Sequence, residues 1–218
     1  MSPARRKKAK RPSAKKAVRG AAAKKSARRG GRTAARRHAV PDVAALERFL
    51  RSLGVDPEHD EEYSLTAPLL ADLLMDRTAG LRQDPPSLRP LLYRGHPGET
   101  VAIEGIHLYG LCPHHLVPYF GEATVRFIPR QRLCGAGALV RAVRELATVP
   151  RLQEDLTQEI ADLVERSLSP RGVYVHVAAR HLCMELRGAE GRARLVTEAR
   201  RGEAPATSGS AGASRRGR

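Results

Sequence analysis

The hydrophobic period of this chain changes twice between Val101 and Cys183, and the order of those periods leaves few folds open. Val101 to Tyr109 alternates apolar and polar residues in the two-residue rhythm of a strand. Ala123, Val125 and Phe127 alternate with Thr124, Arg126 and Ile128 until Pro129 stops a second strand. The period then lengthens: Leu139, Val143 and Leu146 form one helical face, and after a break at Pro150 so do Ile160, Leu163, Val164 and Leu168. Ser169-Pro170-Arg171-Gly172 signals a turn, Val173, Val175 and Val177 restore the strand rhythm, and His181-Leu182-Cys183 leads into a fourth strand. Strand, strand, helix, helix, strand, strand argues an α+β fold: an antiparallel four-stranded sheet with two helices on one face.

Helical material precedes this core. Pro41-Asp42 opens an amphipathic helix with Val43, Leu46, Phe49 and Leu50 on its apolar side, ended by Gly54. Ser64 or Thr66 is expected to cap a second helix with Leu69, Leu70, Leu73 and Leu74, which stops by Gly80, and a Pro-rich connection runs from Gln83 to Pro97.

The formal net charge of +16 suggests a nucleic-acid binder until it is divided along the chain. Residues 1–40 hold 16 of the 39 Lys and Arg and no acidic residue, which leaves 23 basic against 23 acidic residues in the rest. Every Lys, from Lys7 to Lys25, lies in that tail, so cationic chemistry in the fold must use Arg. Residues 1–40 read as a disordered basic tail: a solvated extension, a weak and salt-sensitive contact for nucleic acid, or a transit segment. Residues 41–202 are the right size for one domain, and 203–218 form a second disordered tail rich in Gly, Ser, Ala and Arg. No stretch approaches the length of a membrane span. Three cysteines cannot pair completely and no apolar signal segment precedes them, so a reducing, cytoplasmic location is expected.

Two short segments carry the chemistry: Cys112-Pro113-His114-His115 and His181-Leu182-Cys183. Thiolate and imidazole are ligands that Zn²⁺ prefers, and three protein ligands with one open position suit a catalytic rather than a structural site. Cys112, His115 and Cys183 would supply the three, leaving His114 and His181 for proton transfer. Either segment alone is a weak motif, because a lone Cys is more often a small buried hydrophobe. Cys134, with no ligand-type neighbour at suitable spacing, is read that way.

These residues resemble the GTP cyclohydrolase I family over about residues 45–202. The resemblance rests on Leu111-Cys112-Pro113-His114-His115-Leu116-Val117-Pro118-Tyr119-Phe120-Gly121, Gln153-Glu154-Asp155-Leu156-Thr157, Pro170-Arg171-Gly172-Val173, and His181-Leu182-Cys183-Met184 running to Arg187-Gly188. It implies the tunnelling fold, in which the sheets of five subunits close into a barrel and two rings stack, and hence a homodecamer with active sites at subunit interfaces. It implies a reaction in which water activated at zinc attacks C8 of the guanine ring of GTP, formate leaves, and 7,8-dihydroneopterin triphosphate forms. Cys112, His115 and Cys183 would bind zinc and His114 and His181 would move protons. Gln153 and Glu154 would bind substrate, Glu154 accepting from the guanine N1 and amino group, although by residue type both look like the solvated start of a helix. Arg141 and Arg187 match family arginines that contact phosphate.

The departures bear on the nucleotide. Gly135-Ala136-Gly137-Ala138 stands where the family usually has Gly-Leu-Ser-Lys, and Pro113 replaces the usual Glu. The segment His59 to Thr66 lacks the usual Arg and Thr-Pro signals, and a Lys from a neighbouring subunit cannot exist in a fold without Lys. Arg89 and Arg94 are candidates to stand in, or are ordinary surface residues. Besides GTP cyclohydrolase I, the sequence leaves open a paralogue acting on another purine nucleotide or a pterin, and a non-catalytic zinc scaffold tethered to nucleic acid by its tail. Two non-ligand histidines count against the scaffold, since a structural zinc site has no use for them.

Overall fold

The computed structural model describes residues 41–96, 98–186 and 193–205. The expected tail of residues 1–40, Arg187, and nearly all of the second tail lie outside the described residues.

Helix α1 (Val43–Ser52) begins where Pro41-Asp42 predicts it, with the Asp42 carboxylate accepting from the Ala45 backbone N–H at 2.9 Å. Helix α2 (Thr66–Arg77) follows, and its start differs from expectation. Leu65 takes the cap position with no side-chain bond, while the Ser64 hydroxyl donates to the Glu61 carbonyl in the preceding single turn. The buried side of α2 is centred on two small residues. Ala67 and Ala71 are buried, whereas Leu69 and Leu73 stay 63% and 56% exposed. Ala67 and Ala71 share their face with the half-buried Leu70 and Leu74, while Leu69 and Leu73 face outward.

A two-residue strand β1 (Leu91–Leu92) pairs with the equally short β4 (Arg132–Leu133). The main sheet is built from β2 (Val101–Leu111), β3 (Pro118–Ile128), β5 (Gly172–His181) and β6 (Arg194–Gly202), in the order β2-β3-β5-β6 with every pair antiparallel. Helices α3 (Ala136–Ala147) and α4 (Gln153–Leu168) separate β4 from β5, α3 resting on β2 and α4 on β5 and β6. One helical turn, α5 (Leu182–Glu185), joins β5 towards β6. This is the expected α+β arrangement.

The periods that define the elements also define the core. Leu139, Val143 and Leu146 of α3 and Ile160, Leu163, Val164 and Leu168 of α4 are buried against Leu108, Val125, Phe127, Val173, Val175 and Val177. Each such side chain contributes about 1.5–3 kcal/mol on burial. One feature of β2 breaks the alternation. Ile103 pairs with Val125 but Ile106 pairs with Ala123, so Glu104 and Gly105 together oppose one residue. Gly105 takes φ +65° at this bulge, a conformation that costs glycine nothing. The extra residue restores Ile106 and Leu108 to the core face, where an unbroken alternation starting from Ile103 would turn them outward.

Candidate metal centre and active site

The C-terminal ends of β2 and β5 and the start of β3 lie side by side at one end of the sheet, and both ligand segments emerge there. Between β2 and β3 the chain reverses in a tight loop: Leu116 N–H donates to the Cys112 carbonyl at 2.9 Å and Cys112 N–H to the Val117 carbonyl at 3.0 Å. Leu116 adopts φ +53° to close it. This folds the loop so that the Cys112 sulfur lies 3.8 Å from His115 Nδ1 and 3.9 Å from His114 Nδ1. On the neighbouring strand end, α5 carries Cys183. Arg180 fixes that turn with a fork to the Glu185 carboxylate at 2.8 and 2.7 Å.

The ligand atoms of Cys112, His115 and Cys183 all lie within 4.8 Å of one another. A tetrahedral zinc, with Zn–S of about 2.3 Å and Zn–N of about 2.0 Å, holds its ligand atoms roughly 3.5–3.8 Å apart. The observed spacing fits with a small contraction, and the Cys112–His115 separation already matches. Burial pushes the Cys183 thiol above its ordinary range, and its hydrogen bond to Cys112 adds to the shift. With a second sulfur so close and no cation, forming the Cys183 thiolate is costly, and a divalent metal removes that cost. No fourth ligand-type side chain joins the group among the described residues, so the donor set suits a zinc with an open position.

His181, the last residue of β5, is buried and its ring stacks on Tyr119 with centroids 4.7 Å apart and planes at 13°. Burial lowers its pKa, with the Glu154 carboxylate partly opposing the shift. Its Nε2 lies 2.9 Å from Gln153 Oε1. Gln153 is fully buried, which corrects the reading of it as the solvated start of a helix. Its amide nitrogen donates to the Val177 and Leu195 carbonyls at 3.1 and 3.0 Å and lies 3.0 Å from Thr197 Oγ1. The Thr157 hydroxyl meets Thr197 at 2.6 Å beneath it. Because two partners of the amide are carbonyls, which only accept, that end must be NH₂ and the oxygen must face His181. The proton of a neutral His181 therefore sits on Nε2, leaving Nδ1 as the acceptor.

The other expected residues separate into two groups. Glu154 is exposed in the first turn of α4 and near enough to be felt by His181 and Tyr119. His114 is exposed with its ring edge-on to His115 at 6.2 Å. Arg141 stands exposed on α3, Arg89 and Arg94 are exposed in the connection before β2, and none has a hydrogen bond or ion pair to the metal-end residues among those described. Sequence reasoning missed Tyr119 as a site residue. Its signal was the facing glycine: Gly110 pairs with Tyr119, and a Cβ there would collide with the phenol ring.

A sequence model of the family described as GTP cyclohydrolase I matches residues 43–211. The chain belongs to the GTP cyclohydrolase I family. Among its relatives, the protein named GTP cyclohydrolase 1 from Carboxydothermus hydrogenoformans is 38% identical over 160 residues, covering 72% of this chain and 83% of the relative. The same name is carried by relatives from Aquifex aeolicus, 38% identical over 159 residues (72% and 84% covered), and Streptococcus agalactiae, 35% identical over 145 residues (66% and 77%). The GTP cyclohydrolase I match takes in all three zinc-ligand candidates, both non-ligand histidines and Glu154, and begins just after the basic tail.

Proposed function

We propose that this chain is a zinc-dependent GTP cyclohydrolase I, opening the imidazole ring of GTP by hydrolysis to give 7,8-dihydroneopterin triphosphate and formate. The observation that carries the reading is the convergence of Cys112, His115 and Cys183 within 4.8 Å beside a histidine held in one tautomer. Zinc held by these three ligands supplies Lewis acidity and an open coordination position that make a water nucleophile available near neutral pH. The chain's own groups do the rest. Glu154, at the exposed start of α4, accepts hydrogen bonds from the guanine N1–H and amino group and so orients the base. His181, with Nε2–H spent on Gln153, takes up or delivers a proton through Nδ1. Stacking on Tyr119 keeps water from one face of that ring. His114, exposed beside the ligand set, exchanges protons with solvent.

A second reading, a related purine nucleotide as substrate, is favoured by the start of α3. Gly135, Ala136 and Gly137 are exposed there and nothing lies within 4 Å of a Cβ built on Gly135, so this turn offers no side chain to a triphosphate. Arg141, Arg89 and Arg94, together with Arg187 outside the described residues, are the candidates for that task. The tunnelling fold and the decameric barrel are part of the proposal, supported by exposed Phe49, Leu53, Leu65, Leu69 and Leu73 on and around α1 and α2, an apolar surface suited to burial between subunits. A cytoplasmic location accords with three free cysteines.

One assay tests the function. Zinc-loaded protein is incubated with GTP, GDP or guanosine, the products are oxidised, and fluorescent neopterin derivatives are measured. Turnover of GTP is expected. Turnover of GDP or guanosine in its absence selects the second reading, and no turnover of any of them overturns both.

A further inference from the structure

On the face of the sheet turned away from α3 and α4, one cross-strand row reads Tyr109, Phe120, Arg180, Arg194, with one residue from each strand. The Tyr109 and Phe120 rings stack with centroids 6.4 Å apart and planes at 28°, and the Arg180 guanidinium sits 5.6 Å from the Phe120 centroid. With His107 and Glu122 of the adjoining row, these residues line a cavity of about 290 Å³. Glu122 lines the same cavity, with His107 Nδ1 3.8 Å from its carboxylate.

The two arginines are the anomaly in this row. Arg180 and Arg194 are directly paired across β5 and β6, and like charges so placed repel. Glu185 takes up Arg180, but no carboxylate among the described residues pairs with Arg194. An anion between them removes the repulsion, and guanidinium groups suit phosphate best. The rings beside them offer a flat π surface for a planar group, which the neighbouring cation reinforces.

We propose that this row is a binding site for a planar aromatic anion of nucleoside monophosphate size, with the base laid on Tyr109 and Phe120 and the phosphate held by Arg194 and Arg180. A cavity at the small end of ligand sites, where volumes run from about 300 Å³ upward, favours a single nucleotide over a polymer. Arg180 and His181 are adjacent on β5 and so point to opposite faces. The site thus lies on the opposite face from the metal centre, linked to it only through the Arg180–Glu185 pair, and it stands whether or not the proposed reaction is correct.

AMP is the probe, because adenine lacks the N1–H and 2-amino group through which Glu154 would hold guanine. Calorimetric titration of the full-length protein is expected to give saturable binding of one AMP per chain. Y109A and R194Q, both at exposed positions, should each weaken it at least tenfold with unchanged melting temperature, whereas C183A should leave it unchanged. If Y109A melts early, Tyr109→Leu, which keeps the bulk and removes the aromatic face, takes its place. No saturation by millimolar AMP, retained affinity in the combined Y109A/R194Q variant, or loss in C183A would overturn the proposal. So would tighter binding of a single-stranded oligonucleotide, abolished by the same variants, since that would make the ligand a polymer.

Discussion

His181 Nε2 lies 2.9 Å from Gln153 Oε1, and the Gln153 amide has one orientation open to it because its nitrogen faces two carbonyls. Replacing Gln153 by Met keeps the volume and removes all of these bonds. The Val177 and Leu195 carbonyls lose a donor, so the variant should be less stable by about 1–3 kcal/mol in denaturant titrations. His181 would no longer be held with Nδ1 free, so kcat for GTP should fall about tenfold or more, within the range that acid–base groups contribute. KM and zinc content should change little. A variant that loses stability but keeps its kcat would show that the bond is structural only.

The ligand set makes a separate claim. Cys112, His115 and Cys183 have ligand atoms within 4.8 Å of one another, and removing any one leaves two, too few to retain zinc through dialysis. C183A should therefore carry almost no zinc, measured by atomic emission, where the parent carries one per chain. Chelation of the parent should lower its melting temperature, since zinc bound at a hundred times its dissociation constant stabilises the fold by about 2.7 kcal/mol. Stoichiometric zinc in C183A would contradict the set.

The sequence made some of these relationships legible and hid others for physical reasons. Cys112, His115 and Cys183 were readable because metal ligands are restricted to a few residue types and both segments sit at strand ends, where β2 and β5 bring them together. The core faces of α3 and α4 were readable because period alone assigns them. Gln153 was not, since Gln-Glu-Asp at a helix start normally faces water, and only the carbonyls of β5 and β6 beneath it explain its burial. The outward orientation of Leu69 and Leu73 was hidden for a related reason. Apolar spacing does not tell which side of a broad apolar surface is buried, and in α2 the contact is made by Ala67 and Ala71 with Leu70 and Leu74 half-buried beside them. The bulge at Gly105 left only a glycine as its trace.

The basic tail lies outside the described residues, and its charge alone supports a test. If residues 1–40 contact nucleic acid through phosphates, affinity for duplex DNA should fall steeply and linearly on a log–log plot against salt. Deleting residues 1–38 should abolish that binding and leave the conversion of GTP unchanged. A truncated protein that binds DNA equally well would remove the tail from the interaction.

Tyr119 gives a prediction with an unusual sign. Its ring is fully buried under His181, yet its hydroxyl finds no hydrogen-bond partner among the described residues. An unpaired buried hydroxyl costs free energy, so Y119F should stabilise the protein at neutral pH by about 1 kcal/mol rather than weaken it. The two proteins should then diverge further in alkali. Burial raises the Tyr119 pKa from 10.0 to about 12, with Arg151 partly opposing the shift. Between these values the unfolded chain gives up the phenolic proton while the folded chain keeps it. The stability linked to this group is therefore fully present below pH 10 and is lost as pH rises towards 12. Tyr93 and Tyr174 are also shifted upward, so the parent alone would show a mixed slope. The difference in unfolding free energy between the parent and Y119F isolates Tyr119. It should be flat up to about pH 10 and then grow in favour of the Phe variant. A difference that stays constant through pH 12 would mean that the Tyr119 hydroxyl reaches water or a partner and ionises as it does in the unfolded chain.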